Sequence, residues 1–291
     1  MVADAGHDVA EMVQVAGTSF NPVDAAIRAG FLREVFPVAF PHIPNIDVAG
    51  VITEVGEGVS GWQAGDAVVA FLPMTAPGAA AEYVSVPAVI LAAVPRTVDL
   101  ADAAALPSAG LTAWQALFEH AEVKAGRSVL VNGAGGAVGG YAVQLAKRAG
   151  AGVTATAGAR SLDRIRFYGA DRIIDYTSTP VLEAVAGQRF DVVLNLAPTS
   201  PQETARLVDL VADGAVFVST TPGPDDAGRG VRTVRVFARS DAAQLTELVT
   251  RVDAGELKIE VAERRPLADL AAVHDEATAG RLAGKTILTP S

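Results

Sequence analysis

Apolar and polar positions along this chain follow two patterns, and the change between them comes near Pro107. Before it, short runs rich in β-branched residues are interrupted by glycines and prolines, which is typical of strands joined by tight turns. After it, apolar runs of strand length alternate with segments whose apolar residues recur on one helical face. This alternation predicts a parallel, doubly wound sheet. We therefore expect an α/β protein with a β-rich first domain.

The β-rich domain is predicted to cover residues 1–106 and to be completed by residues 256–291. Prolines make Pro37–Asn45 a loop rather than a helix. After Glu256 the regular alternation fades, and a short helix near Leu267–Ala277 stands between two strand-like runs. The predicted strands of this domain are Glu11–Ala16, Val48–Val55, Asp66–Phe71, Glu82–Val86, Ile259–Ala262 and Thr286–Leu288.

The doubly wound domain is predicted to cover residues 107–255. Its strand runs are almost entirely apolar, as burial of both faces of a parallel sheet requires. They are Ser128–Asn132, Val153–Ala157, Arg172–Asp175, Phe190–Leu196, Ala215–Thr220 and Arg232–Phe237. The helices are Leu111–His120 with Ser108 as N-cap, Ala137–Ala149, Leu162–Tyr168, Pro201–Val211 and Asp241–Ala254.

Composition narrows the classes of function. The 291 residues carry a formal net charge of −10, so the chain lacks the basic face that nucleic acid requires, and an anionic membrane would repel it. No cysteine is present, which excludes disulfides and cysteine-ligated metal. No signal peptide or long apolar span is visible, so we expect a cytoplasmic protein. The histidines are scattered without ligand spacing: His7, His42, His120 and His274.

The strongest local signal is a glycine-rich turn between a strand and a helix. Gly133, Gly135, Gly136 and Gly139 follow the run Val129–Asn132. Val138 stands where the strict G-x-G-x-x-G spacing would place its third glycine. Glycines let backbone N–H groups approach a pyrophosphate, and the following helix offers unpaired donors and positive potential. The turn therefore predicts a dinucleotide site, the alternative being a purely structural turn.

The charges after the second strand indicate which dinucleotide binds. A fold specific for NAD normally places Asp or Glu at the end of this strand, where it accepts the ribose hydroxyls. Here no acidic residue lies between Glu122 and Asp163, while Arg160 follows the strand. An arginine can bind a 2′-phosphate with charge-assisted bonds, so NADPH is predicted. Arg164 is a second candidate, and the alternative for Arg160 is a solvated loop position.

Several further motifs occur in one order and resemble a known family. The resemblance runs from Asn21 to the C-terminus and is to the zinc-free quinone oxidoreductase branch, the zeta-crystallin-like proteins, of the medium-chain dehydrogenases/reductases. The motifs are Asn21-Pro-Val-Asp24, Pro44-x-x-Asp47-Val-Ala-Gly50, Leu106-Pro-x-x-Gly110-Leu-Thr-Ala-Trp114, Gly169-Ala-Asp171-x-Ile-Ile-Asp175-Tyr176 and Gly284-Lys285.

This resemblance implies a GroES-like catalytic domain, a Rossmann domain and NADPH in the cleft between them. It also implies that zinc is absent, because Asn21 and Ile46 stand where zinc-dependent relatives carry Cys and His. A homodimer is expected by the same analogy, with pairing at the edge strand Arg232–Phe237. The turn, the charges and the resemblance together predict these cofactor contacts: Gly133, Gly135, Gly136, Val138, Gly158, Arg160, Tyr176, Asn195, Leu196, Ala197, Val236, Phe237 and Lys285.

The implied activity is hydride transfer from NADPH to a small apolar quinone or conjugated enone. The Asn21 side-chain N–H and the Thr112 hydroxyl are the candidates for stabilising charge on the substrate oxygen. Asp24 is the third candidate catalytic residue, as a ribose or backbone partner or as the cap of a turn. Phe20, Phe31, Phe36 and Phe40 are expected to form the substrate pocket, the alternative being a compact core for a glycine-rich domain. Two alternatives remain, an enoyl-thioester or enone reductase of this fold and a non-catalytic NADPH-binding protein.

Overall fold

The computed structural model describes residues 10–224 and 227–290, and the chain divides into two compact units. The first unit takes the chain up to Ser108 and again from Arg239, and the second runs from Ala109 to Ala238. The predicted boundary after residue 106 lies close to the first division. The predicted boundary after residue 255 does not match the second, because the helix Ala242–Asp253 packs with the first unit. There its Asp253 Oδ1 accepts the Arg96 backbone N–H at 2.7 Å.

The strands and helices follow one another in an order that keeps the two units distinct. The strands are β1 (Ala10–Ser19), β2 (Asp47–Glu54), β3 (Ala67–Phe71), β4 (Tyr83–Pro87), β5 (Ala92–Ala93), β6 (Ser128–Asn132), β7 (Gly152–Ala157), β8 (Arg172–Asp175), β9 (Phe190–Asn195), β10 (Val211–Ser219), β11 (Arg232–Arg235), β12 (Glu263–Pro266) and β13 (Thr286–Thr289). The α-helices are α1 (Pro22–Arg28), α2 (Pro107–Trp114), α3 (Ala137–Arg148), α4 (Leu162–Phe167), α5 (Val181–Ala184), α6 (Pro201–Val208), α7 (Ala242–Asp253) and α8 (Leu270–Thr278).

The first unit is built on a seven-stranded sheet in the order β12-β13-β1-β2-β3-β5, with β4 also paired to β1. The pairs around β1, β2 and β3 are antiparallel, and alternate residues such as Val13, Val15 and Val86 enter one core. The predicted strand Ile259–Ala262 is wrong by several residues. Instead, Glu263–Pro266 forms the strand and pairs in parallel with Thr286–Thr289. Backbone pairing with β13 therefore sets the position of the strand, and the apolar run that precedes Glu263 does not.

Helix α1 was not predicted from the apolar pattern, yet the residues at its start are typical of a helix N-terminus. Pro22 occupies the first turn, where its missing N–H is not needed. Asn21 precedes the helix, and Asp24 Oδ2 accepts the Asn21 backbone N–H at 2.8 Å. The Asn-Pro-Val-Asp motif is therefore a helix start, and Asp24 caps it, as one of the sequence alternatives proposed.

The second unit is a six-stranded parallel sheet in the order β11-β10-β9-β6-β7-β8, which confirms the doubly wound prediction. The chain moves outward from β6 to β8, then returns to β9 on the other side of β6. Ligands bind at such a switch point, beyond the carboxyl ends of the strands. β11 is an edge strand, as expected. Leu130, Val193 and Phe217 share one of the buried clusters around the sheet.

The helix predicted at Leu111–His120 differs in its start and its end. α2 begins at Pro107, so Ser108 lies inside its first turn and is not the N-cap. Beyond Trp114 the chain continues as a π-helix over Gln115–His120. Across residues 10–224 and 227–290, every helix is too short or too polar to cross a bilayer.

His274 on α8 is a buried imidazole without a hydrogen-bond partner among the described residues. It is 2% exposed, and its ring packs edge-on against Phe20 with centroids 5.0 Å apart. Burial lowers the pKa of His274 from its usual 6.5, with Arg28 adding to the effect and Asp275 opposing it. The folded chain therefore takes up this proton less readily than the unfolded chain does.

This pKa shift makes stability depend on pH. The unfolded state binds the His274 proton near pH 6.5 and the folded state only at lower pH, so the free energy of unfolding should fall as pH drops through that region. His274→Phe should flatten the dependence below pH 6.5, whereas His120→Gln should leave it unchanged. Urea denaturation across this pH range measures both. An unaltered slope in His274→Phe would show that another group is responsible.

Candidate active site and cofactor site

A buried carboxylate organises the polar centre of the first unit. Asp47, at the start of β2, is completely buried. Its Oδ2 accepts the Ser19 hydroxyl at 2.5 Å, the Ser108 hydroxyl at 2.7 Å and the Asn21 amide at 2.8 Å. Its Oδ1 accepts the Ser108 backbone N–H at 2.7 Å. These donors come from β1, the α1 cap and α2, so one side chain joins three separate segments.

Lys285 completes this cluster from the segment before β13. Its Nζ donates to Asn21 Oδ1 at 2.7 Å and lies 3.4 Å from Asp47 Oδ2. Burial lowers the pKa of Lys285, while the charges of Asp47 and Asp24 act in the opposite direction. Lys285 was predicted to touch the cofactor. In the structure it is 7% exposed and its ammonium binds the cluster, so a role in holding Asn21 and Asp47 fits its surroundings better.

Asn21 uses both ends of its amide within the cluster. Its Nδ2 donates to Asp47 at 2.8 Å, and its Oδ1 accepts from Lys285 and from the Ser108 hydroxyl, the latter at 3.2 Å. The charged partners fix the orientation of the amide, because a flip would bring its oxygen against Asp47 and its donors against Lys285. This geometry favours a positioning role for Asn21 over direct donation to a substrate oxygen.

Asp24 is a buried carboxyl next to this cluster. It is 3% exposed, and burial raises its pKa to about 7, helped by the negative charge of Asp47. The Asn21 N–H and the positive charge of Lys285 oppose that rise. At neutral pH the Asp24 carboxyl is therefore present in both protonated and ionised forms. Thr112, the other predicted catalytic residue, is half-buried on α2 and belongs to the second unit.

The predicted phenylalanine pocket stays a prediction, and the structure places its rings in different surroundings. Phe20 is buried against Val273 and Leu288 in the core, whereas Phe31 and Phe40 are 84% and 78% exposed. A small cavity, with room for about one water-sized group, lies beside Asp24, with His42, Asn45 and three isoleucines in its lining.

The glycine turn of the second unit has the backbone that its sequence predicts. Gly133 has φ +90°, and a Cβ there would lie 2.9 Å from the Ala197 N atom. A Cβ on Gly139 would lie 2.3 Å from the Gly133 carbonyl oxygen, so helix α3 packs directly on the turn. Gly136 differs, because its φ is −81° and a Cβ would meet nothing nearer than 3.6 Å. Neither strain nor packing requires glycine at position 136.

A series of hydrogen bonds supports the backbone of the glycine turn. The Thr156 hydroxyl accepts the Gly133 N–H at 2.8 Å and donates to Asn132 Oδ1 at 3.0 Å. Asn132 Nδ2 donates to Asn195 Oδ1 at 2.8 Å. Asn195 was predicted to contact the cofactor, but it is fully buried and its amide supports this network. Arg164 also fixes the turn, because its Nη2 donates to the Gly135 carbonyl at 2.6 Å.

The remaining predicted contacts of the second unit follow the carboxyl ends of its parallel strands. Gly158 and Arg160 follow β7, Tyr176 follows β8, and Leu196 and Ala197 follow β9. The Tyr176 hydroxyl lies 3.3 Å from the position of a Cβ on Gly158. Val138 lies in the first turn of α3, next to Gly136. The fold therefore brings these residues to one edge of the sheet, and their contacts with a cofactor stay a prediction.

Val236 and Phe237 follow β11 at the same edge but differ in exposure. Val236 is 4% exposed and part of the core, so only a minor contact with a ligand is open to it. Phe237 is 42% exposed, and the Arg235 guanidinium lies 4.5 Å from its ring centroid.

No group of three or more potential metal ligands occurs within the described part of the chain. His42 lines the cavity of the first unit, His274 is in the core, and His120 ends the π-helix of the second unit. His7 lies outside the described residues.

The sequence analysis missed Asp47, Ser19, Ser108 and Asn45 as parts of this region. A charged residue directly before the apolar run Val48–Ile52 was the available signal for Asp47. Its partners lie as far as 238 residues away, so no local pattern could identify them.

Comparison with known proteins agrees with this architecture. Residues 7–96 match the family described as alcohol dehydrogenase GroES-like domain, and residues 168–288 match the one described as zinc-binding dehydrogenase. The chain is 37% identical to the chloroplast envelope quinone oxidoreductase homolog of Arabidopsis thaliana, over 96% of this chain and 89% of that protein. This chain belongs to the medium-chain dehydrogenase/reductase superfamily, among quinone oxidoreductase homologues.

Two other proteins of the superfamily are also similar to this chain. The NADPH-dependent alkenal/one oxidoreductase of Arabidopsis thaliana is 34% identical over 88% of this chain and 65% of its own length. The structure of the quinone oxidoreductase from Coxiella burnetii superposes with a TM-score of 0.83 at 27% identity, covering 97% of this chain and 91% of that one.

The cluster around Asp47 makes a prediction about stability. Lys285→Met removes the buried ammonium and keeps an apolar stem, leaving Asn21 and Asp47 without their charged partner. Breaking such a buried pair should lower the free energy of unfolding by about 3 kcal/mol, measured by urea denaturation. Lys258→Met, at an exposed lysine of the same unit, should change it by less than about 0.5 kcal/mol. Equal stability of Lys285→Met and the wild type would contradict a structural role for the pair.

Proposed function

We propose that this protein is an NADPH-dependent oxidoreductase that transfers a hydride to a quinone or a conjugated carbonyl without zinc. The observation that carries the proposal is the glycine turn between β6 and α3. It lies where the strand order reverses, which is the ligand-binding point of doubly wound sheets. It is also rigidly supported by Thr156, Asn132 and Arg164.

The residues of the turn fit a dinucleotide. Gly136 leaves open space at the N-terminus of the twelve-residue helix α3, where unpaired N–H groups and the helix dipole favour an anion. Gly133, Gly135 and Gly139 are explained by the turn itself, whereas the missing side chain at Gly136 is explained by a pyrophosphate. The bound dinucleotide supplies the hydride, and the protein positions it.

The charges near β7 support NADPH over NADH. Arg160 is exposed and makes no ion pair or hydrogen bond with the described residues, so its guanidinium is open to a 2′-phosphate. The nearest acidic residues in sequence are Glu122 and Asp163. Asp163 forms an ion pair with Arg166 at 2.6 Å. The end of β7 therefore lacks the carboxylate that would accept ribose hydroxyls and repel the phosphate.

The substrate class follows from the relatives and from the chemistry of the first unit. The Arabidopsis relatives are named for quinone and for alkenal or enone reduction. Both reactions add a hydride and place negative charge on an oxygen, so one arrangement of donors can serve either. Asn21 and Ile46 cannot act as zinc ligands, and we propose that hydrogen bonds stabilise the charge instead.

Steady-state oxidation of NADPH tests the proposal. A 1,4-quinone, a small enone and crotonyl-CoA are offered as acceptors to protein dialysed against EDTA. We expect turnover with the quinone or the enone, unaffected by metal removal. Turnover with crotonyl-CoA alone would favour an enoyl-thioester reductase. NADPH binding without oxidation by any acceptor would show a non-catalytic protein, and activity that requires added zinc would overturn the zinc-free assignment.

Cofactor choice gives a mutational prediction. Arg160→Ala should weaken NADPH binding about 10-fold, because it removes a charge-assisted contact to the 2′-phosphate, and should leave NADH binding unchanged. Arg166→Ala, at an exposed arginine on α4, is the matched control. Titration of cofactor fluorescence measures both affinities. Equal loss for NADH and NADPH, or no loss for either, would remove Arg160 from the recognition of the phosphate.

A further inference from the structure

The cavity beside Asp24 combines apolar walls with a few polar groups. Its lining includes Ile27 on α1 and Ile43 and Ile46 from the segment before β2, together with Asp24, His42 and Asn45. The enclosed space has room for about one water-sized group, so it can take a carbonyl oxygen but not a ring.

Asn45 is the unexplained polar group of this cavity. It is 1% exposed, and neither Nδ2 nor Oδ1 has a hydrogen-bond partner among the described residues. A buried amide without a partner is destabilising, and a ligand that accepts its hydrogen bond removes that cost. The backbone at this position has φ +73°, which glycine and asparagine both adopt, so the turn explains the residue type but not its unpaired amide.

Asp24 presents its carboxyl at the same cavity. Its Oδ2 accepts the Asn21 backbone N–H, and the Asn21 side chain also interacts with the carboxyl. The charged groups that act on it are Asp47 from β2 and Lys285 from the segment before β13, and His42 lies across the cavity. Asp24 is thus held by Asn21 and lies beside an apolar space.

We infer that this cavity receives the carbonyl oxygen of the acceptor, that Asn45 donates a hydrogen bond to it, and that Asp24 gives it the proton. The inference rests on the proposed function, which leaves the source of that proton open. It also narrows the substrate to quinones and enones whose reacting carbonyl carries no bulky neighbour, because the cavity is small.

The reaction then balances with the groups present. A quinone gains one hydride with its two electrons from NADPH, which leaves as NADP⁺, and becomes a hydroquinone monoanion. The Asp24 carboxyl transfers its proton to the phenolate oxygen, forming the second O–H bond of the hydroquinone and leaving the Asp24 carboxylate. Water regenerates the acid. With a pKa of about 7, Asp24 can both give and regain this proton at neutral pH.

Asp24→Asn tests the proton transfer, because the amide keeps the shape of the side chain and cannot act as an acid. We expect kcat to fall about 100-fold with a quinone whose hydroquinone anion is strongly basic. With a chlorinated quinone, whose hydroquinone ionises readily and needs no acid, the fall should be below about 5-fold. A purely structural role would lower both rates alike. Glu34→Gln, at an exposed carboxylate of the same unit, is the control.

The pH profile provides a second readout. The kcat of the wild type should decline above about pH 7, where Asp24 loses its proton, and Asp24→Asn should lack that decline. Cofactor affinity, measured by fluorescence, should be the same in both proteins. Asn45→Gly, which the positive φ allows, should raise KM for the quinone about 10-fold and leave NADPH affinity unchanged.

The outcomes separate this inference from the proposed function. An active wild type whose Asp24→Asn variant keeps the same pH profile and loses both quinones equally would overturn the proton donor alone. Unchanged KM in Asn45→Gly would remove the amide from the carbonyl site. If the wild type oxidises NADPH with none of the acceptors offered, the proposed function and the proton donor are overturned together.

Discussion

The first unit depends on one buried carboxylate. Asp47 gathers donors from β1, from the cap of α1 and from the start of α2, and Lys285 joins them from the segment before β13. A buried charge is tolerated only when it is paired and hydrogen-bonded, so these segments must meet around it. The arrangement fixes Asn21, and Asn21 in turn holds one oxygen of Asp24. The local chemistry of the site is therefore set by a structural requirement of the fold.

In the second unit, hydrogen bonds between uncharged side chains position the glycine turn. Thr156, Asn132 and Asn195 run beneath the glycine turn across β7, β6 and β9. Thr156 donates to Asn132 and Asn132 donates to Asn195, and the Arg164 guanidinium adds a bond to the Gly135 carbonyl. The open side of the turn is left to Gly136 and to the N–H groups of α3, which is the arrangement that a bound pyrophosphate requires.

Local periodicity made much of the fold predictable. The alternation of strands and helices after Pro107 and the glycine-rich turn after Asn132 are short-range signals, and the structure confirms the alternation and a turn between β6 and α3. Helix α1 was missed because its seven residues are too few for a clear apolar face, although Asn21, Pro22 and Asp24 are a recognisable helix start. Strand β12 was misplaced because pairing with β13 is a tertiary effect.

The candidate site was less predictable, for a physical reason. Lys285 and Asn21 are 264 residues apart in the chain, and only the folded backbone brings their side chains to 2.7 Å. Resemblance singled out both residues but could not show that they bind each other. The cavity at Asn45 is likewise formed by α1, the segment before β2 and residues near Gly78, which no spacing rule connects.

The central claim is that the glycine turn holds the dinucleotide, and calorimetric titration of NADPH into the wild type and into Gly136→Ala tests it most directly. A Cβ at position 136 meets no protein atom within 3.6 Å, so the variant should fold with an unchanged Tm, yet bind NADPH at least about 10-fold more weakly. Gly152→Ala, at an exposed position in β7, should bind as the wild type does. Equal affinity of Gly136→Ala and the wild type, or a wild type that binds neither NADPH nor NADH, would contradict the account.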